Sequence, residues 1–179
     1  MLLCALLLLL GGCASLPEST LQAPLWQLQG KLSVNSSRGS GSGQIDWQLF
    51  AQRFEITLQG PLGYGAVRLS GSAEQALLER GDQTLRGSFA ELSQHWLAAP
   101  VPIEALRHWA DGAPAPSLPE PQALSYNSAG QLSGFSQAGW QLRFSRHQSS
   151  VANALPRKVS GQRETDRFTL IVQSRASQP

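Results

Sequence analysis

The side chain whose setting most clearly prescribes chemistry is Cys13. It closes the run Leu10-Gly11-Gly12-Cys13, in which two small residues leave the backbone open to a signal peptidase and the thiol is the nucleophile that takes up a diacylglycerol. The stretch Leu2 to Leu10 before it is nearly all Leu and Ala. That is the length of a signal-peptide apolar core and roughly half of the ~20 residues that a membrane-crossing helix needs. Residues 1–12 are therefore expected to be a lipoprotein signal peptide, with acylated Cys13 as the new amino terminus. No Lys or Arg precedes the Leu run, which places the expected start of the signal upstream of Met1. Ala14 stands where Asp would direct inner-membrane retention in lipoprotein sorting. The expected location is thus the outer membrane, held by the lipid on Cys13, with the body facing the periplasm.

Other reactive groups are sparse. Cys4 leaves with the signal and Cys13 is consumed by lipid, so the folded body is expected to hold no disulfide, cysteine nucleophile or thiolate metal site. His95, His108 and His147 stand in no metal or nucleophile motif. Asp46 beside Trp47 has no partner carboxylate for acid–base or metal chemistry. Gly39, Gly41 and Gly43 lack the strand and helix of a phosphate cradle, and no run G-x-x-x-x-G-K-[ST] occurs. The chain is expected not to be an enzyme, to use no cofactor and to hydrolyse no nucleotide. Its formal charge of +2 gives no reason to invoke nucleic acid.

The elements that must position what remains are mostly strands. After a lipidated tether over residues 13–24, carrying Pro17 and Pro24, the chain alternates. Trp26, Leu28, Gly30, Leu32 and Val34 share one face, with Gln27, Gln29, Lys31 and Ser33 on the other. Gly43 to Leu49, Phe54 to Leu58 and Val67 to Leu69 repeat the pattern, with Asn35 to Gly43 read as a Ser/Gly hairpin loop. A hairpin turns at Gly81-Asp82. Ser88-Phe89-Ala90-Glu91 then matches a capping box, opening a helix with Phe89, Leu92 and Trp96 at helical spacing. A second helix starts with Pro102 as its first residue, presents Ile103, Leu106 and Trp109, and stops at Gly112. Ala113 to Pro121, with four prolines, reads as an extended connector that spans without packing. Strands resume at Ala123 to Tyr126, Leu132 to Gln137, Trp140 to Phe144, around Val159, and at Phe168 to Val172. Residues 25–179 are thus expected to form a single, mainly β domain. Its architecture would be an antiparallel sheet of about eleven strands curled into a barrel or half-barrel, interrupted by two or three short helices.

Such a curled sheet has an apolar concave side. If the helices lie across its open face, the space between them and Trp26, Ile45, Trp47, Phe54, Ile56 and Leu58 is an apolar cleft suited to acyl chains, with Trp96, Leu106, Trp109 and Trp140 completing the lining. The loop Gly60-Pro61-Leu62-Gly63-Tyr64-Gly65 joins two strands; Pro61 and Gly63 shape a turn that projects Leu62 as a membrane-touching or cargo-releasing tip. In the carboxyl third, Arg143, Arg146, Arg157, Lys158, Arg163 and Arg167 face only Glu164 and Asp166. Arg143 and Arg157 there are candidates for docking an acidic partner or anionic head groups, the alternative being a merely solvated face.

In their order, Gly30-Lys31-Leu32, Asp46-Trp47-Gln48, Gly60-Pro61-Leu62-Gly63, Leu106-Arg107-His108-Trp109 with Gly112, and Gln137 with Gly139-Trp140 resemble the outer-membrane lipoprotein receptor family LolB, from Trp26 to about Val172. The resemblance implies an open barrel with a helical lid that binds the acyl groups of lipoprotein cargo. It also implies a partner, the LolA-type periplasmic carrier, from which a monomeric receptor takes cargo for insertion into the outer membrane. Leu62 matches the family's insertion-loop leucine. The chain departs from the family where Gln173 to Pro179 replace its usual aromatic ending. The rival function is a structural lipoprotein of envelope assembly that binds partner proteins through its sheet.

Overall fold

The computed structural model describes residues 23–60, 65–97 and 100–178, without the side chains of residues 94–96. Cys13, Ala14, Pro61, Leu62 and Gly63 lie outside the described residues, as does the side chain of Trp96. Eleven strands and two helices are described: β1 (Trp26–Ser36), β2 (Gly39–Leu49), β3 (Phe54–Gln59), β4 (Val67–Gly71), β5 (Ala76–Arg80), β6 (Gln83–Gly87), α1 (Phe89–Trp96), α2 (Ile103–Ala110), β7 (Gln122–Tyr126), β8 (Leu132–Gln137), β9 (Trp140–His147), β10 (Pro156–Arg163) and β11 (Asp166–Ser177). They form one antiparallel sheet in the order β6-β5-β4-β3-β2-β1-β11-β10-β9-β8-β7. Its two outermost strands, β6 and β7, do not pair, so the barrel is open, as the family resemblance implies.

Alternation becomes burial because each strand has one face on the core. Trp26, Leu28, Leu32 and Val34 of β1 meet Ile45 and Trp47 of β2, Ile56 of β3 and Leu170 of β11 in a single apolar cluster. Gly30 interrupts that row for a steric reason. A Cβ there would sit 2.2 Å from the carbonyl oxygen of Ile171, at the point where the β1–β11 register slips between Gln29 and Gly30. The two helices fill the gap on the chain between β6 and β7: α1 packs over β4, β5 and β6, while α2 packs over β10.

Three expectations are corrected. The Ser/Gly segment from Asn35 to Gly43 is ladder rather than loop. β1 runs to Ser36, β2 begins at Gly39, and the turn is only Ser37-Arg38. Glycine is required at position 43, where a Cβ would lie 2.3 Å from the carbonyl oxygen of Gln59, whereas a Cβ on Gly41 would meet nothing within 4 Å. The proline-rich connector also packs. Ala115 is buried and both its backbone groups are bonded to Gln137, because a segment with few N–H donors of its own still carries carbonyls that need partners. Finally, Pro102 is the N-cap of α2 rather than its first helical residue, a shift of one position.

Candidate functional site

The concave face divides into two clusters of rings. Under α2, Trp109 stacks on Phe168 with planes 4° apart and centroids 6.0 Å apart, and Trp140 tilts against both. Further round, Trp26 and Trp47 meet edge to face at 5.3 Å, and Phe54 meets Phe89 of α1 at 4.6 Å. Of the expected lining residues, Trp26, Ile45, Trp47, Phe54, Ile56, Leu106, Trp109 and Trp140 are all buried, and Leu58 is partly buried against them. The structure therefore brings nine of the ten onto one face. It also closes the cleft expected between them: these side chains occupy the space themselves, because an empty apolar void forfeits dispersion contacts. One opening beside the helices is a groove of about 360 Å³ at the α1–α2 junction, walled by Ala90, Ser93, Val101, Ile103, Glu104 and Arg38 of the β1–β2 turn. Among the described side chains, none of the expected tryptophans borders it.

The helices are fastened to this face in different ways. On α2, Ile103, Ala105, Leu106, Trp109 and Ala110 are buried, and buried polar groups reinforce them. Trp109 Nε1 donates to Gln137 Oε1 at 2.9 Å, the same oxygen accepts from the amide of Ala115, and Gln137 Nε2 donates to the carbonyls of Ala115 and Pro119. Gln137 is thereby satisfied in all four of its bonds. At the carboxyl end of the helix, Arg175 donates to the carbonyl of Ala110 and to Asp111 Oδ1, both at 2.9 Å, and to the carbonyl of Pro156. Trp26 Nε1 donates to Asp111 Oδ2 at 3.0 Å. Burial depresses the basicity of the Arg175 guanidinium, Asp111 opposes that, and Arg157 nearby adds to it. His108, beside this network, is likewise held below the usual imidazole range, first by burial, then by Arg107, and against the pull of Asp111.

By contrast, the described side chains of α1 that reach the core are Phe89 and Leu92. Its capping box joins Ser88 and Glu91: the Ser88 amide and hydroxyl donate to Glu91 Oε2 at 2.9 Å, and the Glu91 amide donates to Ser88 Oγ at 3.3 Å. These bonds hold the Glu91 carboxyl below its ordinary range, the backbone amide contributing most. Among the described residues, two indole groups of the concave face, Trp47 Nε1 and Trp140 Nε1, are buried donors without an acceptor.

Sequence reasoning missed Asp111, Arg175 and the clamping role of Gln137. A strict two-residue period over Phe168, Leu170 and Val172 turns Arg175 outward. The register slip opposite Gln29 and Gly30 instead pairs Leu28 with Arg175, which brings the arginine under α2. Gln173 to Ser177 thus continue β11 despite the missing aromatic ending. Arg143 and Arg157 do not share a surface. Arg143 alternates with buried Leu142 and Phe144 on the outer face, whereas Arg157 sits close to Arg175 at the end of α2. Asp46 accepts from Gln29 and Gln48 on the outer face and has no reactive company. Among the described residues, no group of three or more His, Cys, Asp or Glu could hold a metal ion, and no helix is long and apolar enough to cross a membrane.

The chain is similar to known proteins over most of its length. The family described as outer membrane lipoprotein LolB matches residues 24–174. An outer-membrane lipoprotein LolB of Cellvibrio japonicus (strain Ueda107) is 32% identical, over 96% of this chain and 95% of the relative. One of Stutzerimonas stutzeri (strain A1501) is 30% identical over 93% and 90%, and one of Nitrosococcus oceani is 32% identical over 82% and 74%. Among solved structures, a LolA superfamily protein of Nitrosomonas europaea shares the fold, with a TM-score of 0.50 at 10% identity over 88% of this chain and 87% of that one.

Proposed function

The chain belongs to the family of outer membrane lipoprotein LolB, and from that premise we propose that it accepts acylated lipoproteins from a LolA-type periplasmic carrier and inserts them into the outer membrane. The acyl chains enter between the concave face and the helices as α1 lifts. The body faces the periplasm and is tethered by lipid on Cys13. The observation that carries this reading is the continuous apolar concave face of a sheet that stays open, covered on one half by a helix whose described core contacts are Phe89 and Leu92. The unpartnered indole N–H of Trp47, away from the cluster under α2, is free to meet ester carbonyls of the incoming acyl groups.

Apolar transfer sets the mechanism. Each methylene exposed to water costs about 0.8 kcal/mol, so releasing a long acyl chain into solvent costs of order 10 kcal/mol. Passing the chain directly from one apolar face to another removes most of that barrier, and no nucleotide hydrolysis is required. Tighter acyl binding here than in the carrier gives direction, tenfold for each ~1.4 kcal/mol. Arg157 at the rim is placed to meet acidic groups of the carrier, and Leu62 is the tip that meets the membrane.

The test is transfer of an acylated lipoprotein from its carrier to the full chain and on to membrane vesicles. Replacing Leu62 by Glu is expected to leave cargo uptake intact and to abolish delivery to the vesicles; normal delivery would overturn the role of the tip. A second reading, a structural envelope lipoprotein that binds partners through its sheet, draws on the edge strand β7, where Leu124 and Tyr126 are exposed. Failure to take up any acylated peptide would favour it.

A further inference from the structure

A polar dimple lies on the outer face of the sheet, turned away from the acyl-facing side. In the register of β9, β10 and β11, Ser160 is flanked by Arg143 and Thr169, and Gln162 is flanked by Gln141 and Arg167. The alternating residues Leu142, Gly161 and Phe168 are buried beneath. The six outward side chains ring a depression of about 190 Å³. It is shallow because its floor is built from short side chains. Gly161 admits nothing larger, since a Cβ there would meet the Phe168 ring at 2.2 Å.

The chemistry of the ring is one-sided. It holds two guanidinium groups, two hydroxyls and two amides, and no acid. Of the acids nearest in sequence, Glu164 lies in the β10–β11 turn and Asp166 opens β11, where it is already paired with Arg163 at 3.8 Å. Among the described residues, Arg143 and Arg167 have neither an ion pair nor a side-chain hydrogen bond. They stand at diagonal corners, two strand spacings and two residues apart, so their Cα atoms are about 12 Å from each other, a gap their long side chains close from both ends. Forks converging from opposite corners, with Ser160 and Thr169 hydroxyls between them, suit a tetrahedral group with several acceptor oxygens. A carboxylate, with two oxygens in one plane, is served by a single fork.

We propose that this dimple binds the phosphodiester of an anionic phospholipid head group. The shallow, open shape fits a group presented by a membrane surface. Bound there, the head group holds the outer face of β9–β11 against the lipid surface and keeps the body of the protein in one orientation at its membrane. The inference uses the outer-membrane location of the family and does not depend on acyl binding by the concave face.

The test uses the full chain in neutral detergent, titrated with glycerophosphoglycerol and, separately, with inorganic phosphate, with the amide resonances of Ser160, Gly161 and Thr169 as the readout. The same chain is then placed in nanodiscs of phosphatidylcholine with and without phosphatidylglycerol, where a paramagnetic head-group label reports proximity to Gly161. Glycerophosphoglycerol is expected to shift these resonances. The double variant R143Q/R167Q is expected to raise its dissociation constant by about tenfold or more, as for lost charge-assisted bonds, and R157Q to leave it unchanged. Broadening at Gly161 is expected only in discs that contain phosphatidylglycerol. Unchanged binding in R143Q/R167Q would overturn the site. Inorganic phosphate binding as tightly, with no head-group effect in discs, would overturn the membrane source. Loss of carrier binding in the double variant with head-group binding intact would assign the arginines to a protein partner and overturn the proposal as well. Uptake of an acylated peptide by the double variant is expected to be normal, so a chain that binds the head group but no acylated peptide would count against the proposed function alone.

Discussion

Both helices cover the same concave face, and among the described side chains they are fastened to it differently. The contact of α2 combines five buried residues with Gln137 and the Arg175–Asp111 pair. That of α1 includes Phe89 and Leu92 over β4 to β6, with a capping box between Ser88 and Glu91. Apolar contacts are non-directional and tolerate sliding. A buried donor or acceptor that loses its partner without finding water is penalised at once. The lesson is that a lid need not be uniform: among the described residues, buried polar bonds mark α2 as the half that stays, and the opening proposed above is assigned to α1.

The largest expected effect comes from breaking the α2 half at its densest point. Replacing Gln137 by Leu strands the buried Trp109 Nε1 and the amide of Ala115 together, while the carbonyl of Ala115 keeps the amide of Leu118 as a donor and Pro119 is exposed. At about 1–3 kcal/mol for each of the two buried unsatisfied groups, the loss should be about 4 kcal/mol, read as a fall in the denaturant midpoint. A loss below about 1 kcal/mol would mean that Gln137 does not fasten the helix, and the contrast with α1 would go with it.

Next in size is Asp111→Ala, which leaves Arg175, with a side chain only 7% exposed, buried without its counter-charge. Uncompensated buried charges cost about 3–5 kcal/mol. The carbonyls of Ala110 and Pro156 still hold the guanidinium, so about 2–3 kcal/mol is expected. Hydrogen exchange sharpens the point: amides of α2 should lose protection while those of α1 keep theirs. Equal loss in both helices would show that the lid opens as one piece.

How far this division was legible in the sequence depends on which force made each part. Most of the strands, the turn at Gly81-Asp82 and the Ser88 capping box follow from local patterns, so periodicity and turn chemistry sufficed. So did the apolar face that carries Trp26, Trp47 and Trp140, because two-residue alternation assigns a side of the sheet without knowledge of the fold, while helical spacing turns Trp109 of α2 toward it. The fastening of α2 was hidden for a different reason. Arg175 reaches Asp111 across 64 positions of sequence, and only the register slip near Gly30 turns it inward. Gln137 stood out as a family-like residue, but its four bonds require the proline connector to fold back, which nothing in that segment's composition announces. Local order was readable; long-range polar closure was not.

The smallest effect addresses α1 itself. Removing the cap with Ser88→Ala should cost about 1 kcal/mol, roughly a fivefold rise in the fraction of molecules with α1 undocked, and with it faster uptake of an acylated peptide. Acid should act through the same bonds. The folded state holds the Glu91 carboxyl below its ordinary range, chiefly through the Ser88 amide, so its contribution is fully present above the pKa of a free glutamate, near ~4.3. It is lost as the pH falls through the lower value of the folded state. The protection factors of α1 amides, taken against intrinsic exchange at each pH, should therefore fall on acidification below pH ~4.3, and this dependence should vanish in Glu91→Gln, while those of α2 amides stay constant across the same window. If α2 loosened in step with α1, the two halves would share one opening, and the uneven lid would have to be abandoned for a single hinged cover.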